Sequence, residues 1–333
     1  MGANDLTESS IPTARTRSAS PYGAVLSSES TVDRFSLHLV AQPYWRFPHA
    51  LWFWAMGLGA GTFMVRHVFS VRDAGTVLGL PLLDVLGLVL VGIGGLILIL
   101  DLGRPERVLK ALKRPDRSWI ARGAIADFVF LIVGAVYVLP GWVPSLPWTD
   151  APFLEAELLA QVMIAIAFLA AALIIAYPGM VLYESLSIRL WHSALVPAQF
   201  IAHALSSSIG LTLLVLVAGD RLGDYRSPLA IGFLVTLVAT LGITHMYLID
   251  RSHEHGPAAR AGVERLVRGK MAVHFWVSVV LGFAIPMVLT LVALASSDSA
   301  GPLLAIGGVL CVVGSLQFRY AQLCSGIKVS PLG

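Results

Sequence analysis

Eight apolar runs of roughly twenty residues dominate this chain, at about 50–69, 82–100, 120–140, 156–176, 195–218, 228–248, 272–295 and 301–318. That is the length an α-helix needs to cross the hydrocarbon of a bilayer. In lipid, every backbone N–H and C=O must be bonded inside a helix or a closed barrel, and these runs are too long and continuous for barrel strands. The expected fold is an all-α integral membrane protein, a bundle of about eight transmembrane helices in the lipid bilayer. Composition agrees: the chain is 56% hydrophobic and only 13% charged, more apolar surface than a soluble domain can cover.

The runs divide the chain into a polar tail over 1–45, a transmembrane domain over 46–320 and a short C-terminal tail over 321–333. The first tail is rich in Ser, Thr and Arg and has no apolar run long enough for a signal-peptide core. It is expected to be mobile, with a short ordered stretch near 35–40.

Eight spans leave both termini on one side of the membrane. Of the 23 Lys and Arg residues, 19 fall on that side and 4 on the other. Seven of the 19 lie in one loop, Asp101 to Gly123. The excess of basic residues in cytoplasmic loops orients membrane proteins, so the termini and this loop are expected in the cytoplasm, with the spans in the inner or plasma membrane. The same placement explains the net charge of +3 without nucleic acid as a partner.

Polar groups inside hydrocarbon are expensive, so their positions are informative. His49 starts the first span, Asp101 ends the second, and Tyr177 ends the fourth, where Pro178 and Gly179 are expected to break the helix. His203, His245 and His274 fall in the same layer, and Asp127 lies about two turns inside the third span. Each has a structural alternative. A His, Asp or Tyr near a helix end is often interfacial, and Asp127 has Arg122 five residues away as an ion-pair candidate. Together they point to a polar pocket. The run Gly57, Gly59, Gly61 fits close helix packing, and also a flat cleft.

Two cysteines, Cys311 and Cys324, are too few for an iron–sulfur cluster held by this chain alone. Two haems would need axial His pairs at two depths, whereas the candidate histidines share one. The expectation is no haem and no cluster in this chain. Two other readings stay open: a haem-carrying cytochrome b-type subunit using two of His203, His245 and His274, and an ion- or proton-coupled transporter with Asp127 in a relay.

Three segments resemble the polysulfide reductase membrane-subunit family, the NrfD/PsrC-like quinone-binding anchors. They are HALWFWAMGLGAGTF in the first span, LILDLGRPERVLKALKRPDRSWIARGA around the basic loop, and AYPGMVLYESLSIRLWHSALVP after the fourth. Together they cover about residues 45–200. The resemblance implies a haem-free subunit that exchanges electrons between membrane menaquinone or ubiquinone and a four-cluster iron–sulfur subunit. That subunit in turn is paired with a molybdopterin catalytic subunit. It implies a quinone site among the first four helices, about 46–190, with Tyr177 and His49 at the head group. Trp52 stands where some members have His, and with Gly59 it is assigned to the cleft lining. Asp101, Arg104, Asp127 and His203 are assigned to support or proton transfer. The basic loop and the 251–270 loop are candidates for docking the partner. Many members serve catalytic subunits on the outer side, opposite to what the charge count implies here.

Overall fold

The computed structural model describes residues 38–101, 115–116, 118–254, 256–296 and 300–330. Arg104 and most of the basic loop lie outside the described residues.

Eight long helices account for the eight apolar runs. They are α1 (Phe47–Val68), α2 (Leu82–Asp101), α3 (Trp119–Tyr137), α4 (Leu158–Tyr183), α5 (Leu195–Ala218), α6 (Arg226–Ser252), α8 (Ala272–Ala295) and α9 (Ala300–Cys324). A short amphipathic helix, α7 (Pro257–Val267), links α6 to α8. The all-α membrane fold expected from the apolar runs is the fold observed.

Seven of the long helices are apolar enough to cross a membrane by length and composition; α1 is the exception. The reason is its position. It packs against α2, α4, α5 and α9, so Trp52, Phe53, Met56, Gly57, Thr62, Arg66 and His67 are all buried by protein. A helix shielded on every side needs no uniformly apolar surface. By contrast, only 28% of the spanning window of α2 is buried, against 67% for α5. The outward faces carry Leu96, Leu100, Ile132, Leu169 and Val235, as lipid contact requires.

Close helix approach depends on small residues. A Cβ at Gly59 would lie 2.6 Å from the Gly87 carbonyl, and one at Gly282 would lie 2.6 Å from Gly314 Cα. Gly282 belongs to a π-helical segment of α8, Ser278–Ala284, whose widened turn sits against α9.

The fourth helix corrects a sequence expectation. It does not stop at Pro178 but continues to Tyr183. Proline removes one backbone hydrogen bond, yet neighbouring helices hold such turns together in membranes. Here Gly179 lets α5 approach closely, since a Cβ on it would lie 2.5 Å from Pro197 Cα.

An ordered stretch lies at residues 38–41, overlapping the one expected near 35–40. Strand β1 (His38–Ala41) pairs antiparallel with β4 (Ile327–Ser330), and Ile188 bridges to Lys328. Gln42 seals the junction: its Nε2 donates to the carbonyls of Trp45 and Leu323, and its Oε1 accepts from the Tyr44 and Trp45 amides. Residues 38–41 and 327–330 are therefore tied together at the end of the bundle where α1 begins. At the opposite end, β2 (Thr76–Val77) and β3 (Leu80–Pro81) form a hairpin, with Leu78 and Gly79 both at positive φ.

Candidate quinone site and its neighbours

His49 lies one turn before Trp52 on α1, a spacing that sets both side chains on one face. The His49 Nε2 is 3.0 Å from Asp101 Oδ2 at the end of α2, and the imidazole packs on the Trp45 ring at 4.9 Å. Trp52 stacks towards Tyr177 of α4, with ring centroids 6.3 Å apart. The Tyr177 hydroxyl donates to Met56 Sδ at 3.1 Å and also faces the carboxyl of Asp127 on α3. Asp101, His49, Trp52, Tyr177 and Asp127 thus form one continuous group drawn from α1, α2, α3 and α4.

This group is incompletely satisfied. The His49 Nδ1, Trp52 Nε1 and Asp127 Oδ1 atoms are buried without a hydrogen-bond partner. A buried polar group left unpaired costs about 1–3 kcal/mol, so three in one cluster call for an explanation. Asp127 does not pair with Arg122. That guanidinium donates to the carbonyls of Pro115 and Asp116 and stacks on Trp119.

Other candidates sit elsewhere. Gly59 lies in the α1–α2 contact. His203 is buried in a separate group, its ring against Phe283 and Phe318 and its Nε2 unpartnered. His245 is exposed on α6, and His274 Nδ1 is 2.7 Å from Gln317 Oε1. Of the expected polar layer, His49, Asp101 and Tyr177 come together, joined by Asp127 from α3, and the histidines of α5, α6 and α8 stand apart. The reason is helix phase: equal depth does not give a common facing.

Basic residues of the 251–270 loop largely fasten the chain to itself. Arg251 meets Asp250, Glu254 and the carbonyls of Arg189 and His192, while Arg265 donates to the Cys324 carbonyl. Beside them, Tyr183, His192, Ser193, Asp250 and Arg251 line an open cleft of about 610 Å³.

Two charged clusters were not foreseen from sequence. Arg319 is only 2% exposed within α9, with its guanidinium over the Phe200 ring. Near the other end of α1, Arg66 forms a buried ion pair with Asp84 of α2 and donates to the Asp150 carbonyl at 2.6 Å and to Tyr137 Oη at 3.3 Å. The legible signal was Asp84, a carboxylate inside an apolar run.

The family model for polysulphide reductase, NrfD, matches residues 38–330, nearly the whole described chain. A curated relative, the protein NrfD homolog of Haemophilus influenzae, is 28% identical over 172 residues, which cover 48% of this chain and 53% of the relative. The chain thus spans about half the length of the curated relative it matches. With its multi-pass helical bundle and a family match running from β1 to β4, the chain belongs to the polysulphide reductase NrfD family.

Proposed function

We propose that this chain is the membrane anchor of a multi-subunit respiratory oxidoreductase. In this reading it binds a membrane quinone or quinol and exchanges electrons with an iron–sulfur partner subunit. The observation that carries the proposal is the unsatisfied group around Tyr177, in which His49 Nδ1, Trp52 Nε1 and Asp127 Oδ1 are buried and unpartnered. A quinone supplies two-electron, two-proton chemistry when bound. The donor set fits such a head group: a phenol and an indole N–H donate to carbonyls, an imidazole does either, and a carboxylate accepts from hydroxyls.

In this proposal Tyr177 and Trp52 orient the ring. Asp127, enclosed by protein beside the Tyr177 hydroxyl, holds or releases a proton. His49 and Asp101 form the exit to water, because the pair is partly exposed at the end of the bundle where β1 pairs with β4. The iron–sulfur subunit docks on that end. A molybdopterin catalytic subunit stands behind it, and the charge asymmetry favours the cytoplasmic face for both.

The test uses the assembled complex in proteoliposomes. Asp127→Asn and Tyr177→Phe are each expected to lower quinol-coupled turnover about tenfold or more, the effect of general acid–base groups being typically 10²–10⁴. Dye-coupled activity of the catalytic subunit should be unchanged. Wild-type quinol turnover in both variants would sink the assignment. Purification of the chain without any iron–sulfur partner, together with ion uptake by the chain alone, would favour a transporter.

A further inference from the structure

The α4–α5 connection lies beside the last turn of α6, and the open cleft of about 610 Å³ sits between them. This is the end of the bundle where β1 pairs with β4, since Ile188 of the connection bridges to Lys328. The two halves of the cleft differ in chemistry. On one side Leu195, Met246 and Ile249 present apolar surface. Met246 and Ile249 are exposed, and they end a stripe of α6 that runs through Ile231, Val235 and Val238. That spacing keeps all five on one face of the helix, the face turned to lipid. On the other side lie His192, Ser193, Asp250 and Arg251. Asp250 follows Met246 by one turn, so the apolar stripe runs directly into the polar half.

The polar half offers acceptors. Asp250 is held through one oxygen: Ser193 Oγ donates to Oδ2 at 2.6 Å, Arg251 Nε at 3.0 Å and Arg251 Nη2 at 2.9 Å. Its Oδ1 keeps its lone pairs, and the side chain is 41% exposed. Arg251 is only 10% exposed, and its Nη1 is committed to Glu254 and to the carbonyls of Arg189 and His192. His192 stacks on the Tyr183 ring, centroids 4.8 Å apart, with its Nδ1 2.7 Å from the Tyr183 carbonyl. A carbonyl only accepts, so Nδ1 carries the proton, and in the neutral ring Nε2 is an acceptor. Asp250, Arg251 and Glu254 together hold one net negative charge.

We propose that this cleft holds a phospholipid with a primary-ammonium head group, of the phosphatidylethanolamine class. The ammonium carries three N–H donors, which meet Asp250 Oδ1 and His192 Nε2. A trimethylammonium head has no N–H to give. An anionic head meets the net negative charge of the cleft, and the arginine that lines it is already engaged. One acyl chain follows Met246, Ile249 and the α6 stripe into the hydrocarbon. The lipid so held bridges the α4–α5 connection to the end of α6, and its binding is independent of the Tyr177 site.

Native mass spectrometry of the purified complex tests this. The complex is delipidated in detergent and given dioleoyl phosphatidylethanolamine, phosphatidylcholine or phosphatidylglycerol at equal concentration. The ethanolamine lipid is expected to be retained about tenfold more than either of the others and to raise the thermal midpoint. Asp250→Asn removes the carboxylate charge, and His192→Phe keeps the stack on Tyr183 but removes the acceptor nitrogen. Each should lower retention of the ethanolamine lipid about tenfold, the worth of one hydrogen bond to a charged group. The comparison of lipids on the wild type stands even where a variant fails to assemble. Equal retention of the three lipids would overturn the proposal, as would unchanged retention in both variants. Loss of a protein subunit from Asp250→Asn with lipid retention intact would also overturn it, by assigning the cleft to a protein partner.

Discussion

The ring of Tyr177 lies directly over Gly123: a Cβ at residue 123 would sit 2.5 Å from Tyr177 Cζ. The absence of a side chain on α3 therefore allows the phenol to reach Asp127, one turn further along the same helix. Gly123→Ala is expected to displace the phenol at a cost of about 1–3 kcal/mol and to lower quinol-coupled turnover about tenfold. Gly92→Ala is the control, since its Cβ would meet only Leu131 Cδ2 at 4.0 Å. Turnover in proteoliposomes separates the two.

The buried Arg66–Asp84 pair predicts an asymmetric pattern of stability. Asp84→Asn leaves an unpaired guanidinium in the bundle and should cost about 3–5 kcal/mol, seen as a lower thermal midpoint and yield. Arg66→Met combined with Asp84→Leu should be milder than the single change, because no charge is then stranded. Melting of purified protein in one detergent compares them.

His49 and Asp101 join the ends of α1 and α2 at a partly exposed site. A double-mutant cycle with His49→Gln and Asp101→Asn should return a coupling of about 0.5–1 kcal/mol, modest because water screens the pair. A coupling of zero in both stability and turnover would remove the pair from the proposed proton exit.

Glycine contacts between α8 and α9 should resist even small additions. Gly282→Ala is expected to destabilise by about 1–3 kcal/mol, since its Cβ would lie 2.6 Å from Gly314 Cα. Gly242→Ala should be neutral or stabilising by up to about 1 kcal/mol, since nothing lies within 4 Å of its Cβ. Thermal midpoints check both.

Outside the membrane, the Thr149 backbone amide donates to the Glu157 carboxylate at 2.9 Å and holds that carboxyl below its usual range. A depressed carboxyl stabilises the fold above its ordinary value, near 4.3, and loses that contribution as the pH falls through its folded value. Protection of amides 149–157, taken as intrinsic over observed exchange rate at each pH, should fall on acidification through that window, and Glu157→Gln should flatten the dependence.

How much was legible depended on the kind of interaction. Apolar periodicity and length identified the eight helices, most within a few residues, because lipid penalises any backbone group left unbonded. His49, Asp101, Asp127 and Tyr177 were legible as polar groups in or beside apolar runs. The end of α4 was not, because Pro178 is a local signal and the approach of Pro197 to Gly179 is a tertiary one.

Sequence alone thus determined the membrane bundle, the family and the residues worth asking about, since burial in lipid acts on each segment separately. Only the tertiary structure decided which polar residues share a site. Rotation of each helix about its own axis turns His245 outward, buries Arg319, and brings Asp127 to Tyr177 rather than to Arg122. That rotation is set by packing between helices, where Gly123 admits a phenol and Gly59 admits a carbonyl.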